Sequence, residues 1–268
     1  MQTLNERDFW ARRREARLSY AIYLESKESQ DECYDMVAAG LQQPAHVLQH
    51  IPPENFMTAT RQRAWDGVDQ LALAYSAGHA LDELRAAYST ILAYWLAFAR
   101  YDMTFDAQAG EAEQGFTHFA LPGDGYEQVN RMVCLGILLG CGSLLPRLAP
   151  VIDFNNHEKD GLLERLLACF VAGRDAAWPK CTRHLPYVNT LKIFAAEKDA
   201  RPALMQLICS NGMQPAAASP ITTATGATPR SGATGPGKRP PSPACSISMT
   251  AAIAARPSIR PTSWRSAG

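Results

Sequence analysis

The composition of this chain changes abruptly at Gly212. Residues 1–211 contain all 26 acidic residues, all six histidines and 20 of the 26 basic residues, which gives a net charge of −6. Residues 212–268 contain no Asp or Glu, and 42 of these 57 residues are Pro, Gly, Ala, Ser or Thr. Because few of their side chains can be buried, this segment cannot offset the entropy cost of becoming ordered. We therefore expect a folded body over 1–211 and a disordered tail over 212–268.

The tail also has the composition expected of GC-rich DNA that is translated out of frame. Shifted back by one base, its codons permit segments rich in aromatic and acidic residues, such as Trp-Tyr-Ala near Asn211 and Gly-Tyr-Trp-Ala-Trp-Glu from Ala233. We expect the ancestral C-terminus to lie in that frame. Sequencing the gene tests this hypothesis, since a shifted frame without such an open reading excludes it.

Apolar residues at helical spacing predict an all-α fold for the body. Asn5, with Asp8 three residues later, resembles a helix N-cap, and an amphipathic run from Phe9 is expected to continue to about Gln42. The clearest stripe repeats at three and four residues from Leu81 to Phe98. Further helices are predicted at about 54–77, 124–141, 144–154, 161–172, 187–198 and 202–210.

Neighbouring antiparallel helices would bury their apolar stripes against each other, which predicts a helical bundle or an array of helical hairpins. Because residues 101–125 break the helical pattern, we expect two packed halves, residues 1–105 and residues 122–211. Large aromatic residues at helical spacing are expected to pack in the core rather than to line a ligand pocket. These are Trp65, Tyr75, Tyr88, Trp95 and Phe98.

Targeting and redox signals point to a cytoplasmic protein. Residues 1–17 carry five arginines and lack the apolar run of a secretory signal. The longest apolar stretch, residues 132–145, is shorter than the ~20 residues that a membrane-spanning helix needs. The cysteines show no regular framework, which suits a reducing compartment. We expect no membrane partner.

Pairs of residues with metal-ligand or redox spacing are weak candidates. A third ligand is missing in each case, and exposed loops or buried packing explain the pairs more simply. The pairs are His46 with His50, Cys181 with His184, and Cys134 with Cys141. No phosphate loop, His-Glu-x-x-His or Gly-x-Ser-x-Gly motif is present. We therefore expect no catalytic residue, no metal and no cofactor.

Two carboxylates, Asp153 and Asp160, flank a segment that contains His157. Such a group could serve a metal-dependent helical enzyme, and this alternative stays open. Helix capping is the simpler explanation for Asp160, because it immediately precedes the predicted helix that starts at Gly161.

The interval between Arg100 and Arg131 contains no Lys or Arg. It contains six acidic residues, namely Asp102, Asp106, Glu111, Glu113, Asp124 and Glu127. A solvated loop is one explanation. The functional hypothesis is a docking surface for a basic protein partner, because complementary charge speeds association and sets specificity. The acidic body argues against direct nucleic-acid binding, which requires Lys and Arg at the phosphates.

Several short motifs, in their order along the chain, resemble the polymorphic-nuclease immunity proteins, a two-part helical family called PoNi. The motifs are Arg7-Asp8-Phe9, the segment Leu84–Asp102, Tyr126-Glu127-Gln128-Val129, the segment Leu135–Leu139, Asp160-Gly161-Leu162-Leu163 and Pro186-Tyr187. The resemblance covers most of residues 5–211. The alternative frame permits the family's terminal segments in the same order, whereas residues 212–268 depart from the family.

The resemblance implies an immunity protein that binds and neutralises a cognate bacterial DNase toxin without being an enzyme. The toxin would be a PoNe-like nuclease of the PD-(D/E)xK type, delivered by type VI secretion or a related contact-dependent system. Self-association into a homo-oligomer is left open. The alternative from another class is a helical adaptor for other proteins, although the chain lacks the 34-residue repeat typical of such scaffolds.

Overall fold

The computed structural model describes residues 1–42, 50, 53–109, 119–123, 125–154, 156, 158–182 and 187–211. Side chains are described for these residues except 53–54, 104–109 and 209–211. The predicted tail, residues 212–268, lies outside the described residues. Within the described ranges the fold is all-α without strands, as predicted. Nine α-helices lie within these described ranges, namely α1 (Glu6–Arg12), α2 (Tyr20–Leu41), α3 (Pro53–Ala77), α4 (Leu81–Ala109), α5 (Gly125–Leu138), α6 (Leu145–Asp153), α7 (Gly161–Leu167), α8 (Thr190–Ala195) and α9 (Arg201–Asn211).

The first amphipathic run is two helices, and the prediction of one continuous helix from Phe9 was wrong. The predicted N-cap is confirmed, since the Asn5 side chain accepts a hydrogen bond from the Asp8 amide at 2.9 Å. After α1 the chain turns around the end of α3, and the amides of Arg14 and Glu15 donate to the Ser76 carbonyl. A new helix then starts, capped by the side chain of Ser19.

Helix α3 ends where the sequence predicts, and tight packing explains why. Gly78 has φ of +96°, a left-handed conformation that glycine adopts without strain. A Cβ at this position would lie 2.2 Å from the carbonyl oxygen of Arg12. The turn between α3 and α4 is therefore also a contact with the end of α1.

Helix α4 is longer than the apolar pattern suggested. It continues to Ala109, so the predicted boundary at residue 105 falls inside it. Tyr101 makes an edge contact with Phe56 at 4.8 Å between ring centroids, and Asp102 is buried. Packing of the turn around Tyr101 against Phe56 of α3 thus helps to sustain the helix where amphipathic periodicity fades.

One main core unites α3 and α4 with α5 through α8. Trp95 is fully buried, stacks on Phe119 at 3.9 Å and donates its indole N–H to the Ala64 carbonyl at 3.1 Å. Tyr88 donates to the Met132 carbonyl at 3.2 Å, which ties α4 to α5. The predicted aromatic core is confirmed for Tyr88, Trp95 and Phe98, which are buried, while Trp65 and Tyr75 are half-buried against the same cluster.

Four of the five described helices of the second part are shorter than predicted, and the last one, α9, is slightly longer. Helix α5 ends at Leu138 rather than at Cys141, and Gly140 follows with φ of +73°. Cys134 and Cys141 are both buried, as expected, but Cys141 lies beyond the helix. Helix α7 ends at Leu167, five residues before its predicted end at 172. The predicted helices near 187–198 and 202–210 correspond to α8 and α9. One short 3₁₀ turn, Tyr187–Asn189, precedes α8, and another, Lys198–Ala200, joins α8 to α9.

Candidate partner-binding surface

The structure describes the side chains of two of the six acidic residues in the predicted interval, Asp102 and Glu127. Asp102 is 6% exposed and therefore does not belong to an exposed acidic surface. Glu127 is half-buried in the first turn of α5. Asp106 lies in α4 without a described side chain, and Glu111, Glu113 and Asp124 lie outside the described residues.

A different acidic surface, which was not predicted from the sequence, lies on α2. Helix α2 contains five acidic residues and one lysine over 22 residues. Glu25, Glu28, Glu32 and Asp35 are exposed and follow one another at three and four residues, so they form one stripe along about 15 Å of helix. Within the described part of the chain, no ion pair neutralises these four carboxylates. The local excess of acid within one amphipathic run was the signal that could have identified them.

The lysine of α2 does not lie on this stripe. Lys27 is buried, pairs with Asp31 one turn later and lies on the side of the helix that faces α3. Asp31 also accepts a hydrogen bond from the Gln70 side chain at 3.0 Å. Because the Lys27 ammonium is buried and paired with Asp31, it does not neutralise the carboxylates on the outer face of α2.

Apolar side chains flank the acidic stripe. Met36 is 66% exposed, Ile22 is 52% exposed and Leu24 is 38% exposed. Single exposed apolar residues are common on protein surfaces. Three on one helix beside an unpaired acidic stripe give that face the mixed character of a protein-binding surface, with apolar contacts and charges that set specificity.

The middle of α2 is fixed by an aromatic and arginine cluster. The Tyr34 hydroxyl of α2 donates to the Tyr94 hydroxyl of α4 at 2.9 Å. Arg63 of α3 donates to the same oxygen at 3.1 Å, and its guanidinium lies 4.0 Å from the Tyr94 ring centroid. Burial, and then the hydrogen bond with Tyr94, raises the pKa of Tyr34 to about 12. Three helices are thus joined directly behind the acidic stripe.

The first half of α2 is fixed by a buried hydrogen-bond chain. The Leu4 amide donates to the Tyr23 hydroxyl oxygen at 3.0 Å, and that oxygen lies 3.2 Å from His79 Nε2. His79 Nδ1 lies 3.1 Å from Glu83 Oε2. Every group is satisfied when Tyr23 donates to Nε2 and Nδ1 of the neutral imidazole donates to Glu83. Burial raises the pKa of Tyr23, which keeps this hydroxyl protonated.

A small pocket lies between α2 and α3, beside the hydrogen bonds of Tyr23 and His79. It is lined by Met1, Tyr23, Lys27, Gln30, Asp31, Gln70, Leu73, Ala74 and His79. Its enclosed space is about that of one water molecule. This pocket is therefore too small for an organic substrate beside the Tyr23–His79–Glu83 hydrogen bonds. Through the Leu4 amide, these hydrogen bonds hold the N-terminal segment on α2.

The carboxylates of the alternative enzyme hypothesis make structural contacts. Asp160 Oδ1 accepts the amides of Leu162 and Leu163 at 3.0 Å each, which confirms the predicted N-cap of α7. Its Oδ2 accepts the Thr182 amide at 2.7 Å. Asp153 pairs with Arg174 through both carboxylate oxygens.

The other predicted ligand pairs are only partly described. His46, His157 and His184 lie outside the described residues. Across the described ranges, the structure contains no group of three or more His, Cys, Asp or Glu arranged to hold a metal ion. In the same ranges, no helix is both long and apolar enough to cross a membrane.

Comparison with known proteins adds a fold relationship. No family model and no curated protein matches this chain. Among solved structures, the chain is similar to protein PA2201 from Pseudomonas aeruginosa, with a TM-score of 0.63 and 18% identity. The similarity covers 81% of each chain. At this identity the likeness establishes the fold alone.

Proposed function

We propose that this protein is a cytoplasmic immunity protein that binds and neutralises a bacterial DNase toxin, a PoNe-like nuclease delivered by type VI secretion or a related contact-dependent system. The resemblance of its motifs to the PoNi family supports this proposal. The observation that carries it is the exposed acidic stripe of α2, which no basic side chain in the described part of the chain neutralises. The protein would act as a stoichiometric inhibitor, without turnover.

The positive charge that a DNase needs for binding DNA explains why an acidic protein can inhibit it. A nuclease has to present Lys and Arg to the phosphates of DNA, so its active face is positive. A protein with a fixed negative surface is attracted to that face and, once bound, keeps DNA away from it. The anchors at Tyr23 and Tyr34 hold α2 in place before binding, which lowers the entropy cost of association.

The motifs that carry the resemblance have identifiable packing roles. Phe9 is buried and stacks on Tyr23 at 5.3 Å, which docks α1 on α2. Tyr126 is buried and donates to Asp160 at 3.3 Å, which links α5 to the capped start of α7. These residues therefore support the fold that the family would share, while the exposed charges of α2 support the binding function.

An inhibition assay tests the proposal. Immunity genes usually lie directly beside the genes of their toxins, so the toxin is sought as the product of the neighbouring gene. Its nuclease domain is purified, and its cleavage of plasmid DNA is measured with increasing amounts of this protein. We expect cleavage to stop near equimolar protein, while an unrelated DNase keeps its activity. The titration is repeated with a chain that carries the alternative-frame C-terminus after Asn211. Undiminished cleavage with an excess of either chain contradicts the proposed function.

A further inference from the structure

The outer face of α2 is not covered by another described helix. Helix α2 packs mainly against α3, and more lightly against α1, through Tyr23, Lys27 and other inward residues. On the opposite side, Ile22 and Met36 are more than half exposed. Covering such side chains removes apolar surface from water and stabilises a complex. Binding of a partner that covers Ile22 and Met36 would therefore be favoured by the burial of their apolar surface.

The charge on this face restricts what that occupant can be. Glu25, Glu28, Glu32 and Asp35 lie about one turn apart, so their fields add over distances comparable to the ~8 Å screening length of physiological salt. Nucleic acids and anionic membranes are repelled by such a stripe. A protein surface that presents Lys and Arg around an apolar patch complements both the carboxylates and the exposed Met36.

We propose that the outer face of α2 is the docking surface for the basic toxin, with Glu25, Glu28, Glu32 and Asp35 facing its cationic residues and Ile22, Leu24 and Met36 covered by it. This inference rests on the proposed function. It transfers the docking surface from the predicted interval between Arg100 and Arg131 to α2. A standard interface buries about 800 Å² on each partner, so the toxin also touches surfaces beside this helix.

Charge neutralisation with a matched control tests the location. The test variant of the full 268-residue chain carries Glu25→Gln, Glu28→Gln and Glu32→Gln, which keep good helix formers at exposed positions. The control variant carries Glu158→Gln, Glu197→Gln and Asp199→Asn, three exposed acids in the second part of the chain. Both variants lose three negative charges, so they differ only in where the charge is lost.

Association of each variant with the immobilised nuclease domain from the neighbouring gene is measured at low and at physiological salt. We expect the α2 variant to associate at least about tenfold more slowly at low salt, with a smaller difference as salt rises. The control variant should differ from the wild type by less than about twofold. A further variant, Met36→Gln, should dissociate several times faster, because it leaves the apolar contact unmade. Thermal unfolding of all variants shows whether the fold is kept.

The outcomes separate this inference from the proposed function. If the wild type fails to bind the nuclease, the proposed function is wrong. If the wild type binds but the two triple variants associate equally slowly, or neither slows, the α2 location is overturned while the function stands. If α2 instead mediates pairing of two copies of this chain, the wild type elutes as a dimer that the α2 variant abolishes, and the toxin location is likewise overturned.

Discussion

Removal of the Arg174 guanidinium should destabilise the second part of the chain far more than removal of its exposed partner. Arg174 Nη1 donates to Asp153 Oδ1 and to Glu164 Oε1, both at 2.8 Å, and Nη2 donates to Asp153 Oδ2 at 2.7 Å. The Arg174 side chain is 9% exposed and the Glu164 side chain 3%, whereas the Asp153 side chain is 55% exposed. Burial alone would lower the pKa of Arg174, but the hydrogen bonds with both carboxylates raise it on balance.

The magnitudes follow from these exposures. Arg174→Met leaves the buried Glu164 carboxylate with the Asp175 amide, at 2.7 Å, as its one remaining donor in the part of the chain that the structure describes. Breaking a buried pair by removing one partner costs about 3–5 kcal/mol of unfolding free energy. Asp153→Asn removes a partner that is mostly in water, so it should cost about 1 kcal/mol or less. The double change Arg174→Met with Glu164→Leu should cost less than Arg174→Met alone, because no charge remains buried.

Urea unfolding followed by circular dichroism gives the free energy of unfolding for all four proteins. We expect the order Asp153→Asn, then the double variant, then Arg174→Met, in increasing loss of stability. The reasoning is refuted if Arg174→Met costs no more than Asp153→Asn, or if the double variant is less stable than Arg174→Met. The same experiment bears on the alternative enzyme hypothesis, since it measures whether Asp153 is engaged in the pair.

Two further predictions concern titratable groups near α2 and α7. Because the pKa of Tyr34 is raised from 10.0 to about 12, its neutral form favours the native state, and this contribution is complete below pH 10 and lost as pH rises toward 12. Thermal unfolding should therefore show a smaller loss of stability over pH 10–12 in Tyr34→Phe than in the wild type, and an unchanged loss would contradict the assignment. Burial, and then the nearby Asp160, raises the pKa of Cys181 to about 11, whereas Cys33 is exposed. Alkylation at pH 8 followed by mass spectrometry should label Cys33 well before Cys181, and equal rates would show that Cys181 is not shielded.

Helix starts were predictable because their signals are local. Asn5 and Asp160 cap helices with side chains that reach amides two or three residues away, so the sequence contains both partners of each contact. Helix α3 was likewise predicted to end before Gly78, the residue at which the chain takes a left-handed conformation. Such features depend on neighbouring residues and need no knowledge of the fold.

Features that depend on distant residues were not predictable. The break before Ser19 follows from the hydrogen bonds of Arg14 and Glu15 to Ser76, which lies about 60 residues further along the chain. The extension of α4 past residue 101 involves the ring of Tyr101 against Phe56 on another helix. In both cases tertiary contacts override the local amphipathic pattern, which is why its period alone misplaced the boundaries.

The location of exposed acidic residues is likewise hard to predict from the sequence, because it depends on which side chains the fold buries. The sequence favoured the interval between Arg100 and Arg131 as the docking surface, because it contains six acidic residues and no Lys or Arg. In the structure Asp102 of that interval is buried, and Arg131 is itself buried and paired with Asp69 of α3. Helix α2 has one lysine among its five acidic residues, and this residue, Lys27, is buried and paired with Asp31. The charge that a partner meets is the sum over exposed side chains, so the inward direction of Lys27 leaves the outer face of α2 with the charge of its exposed carboxylates.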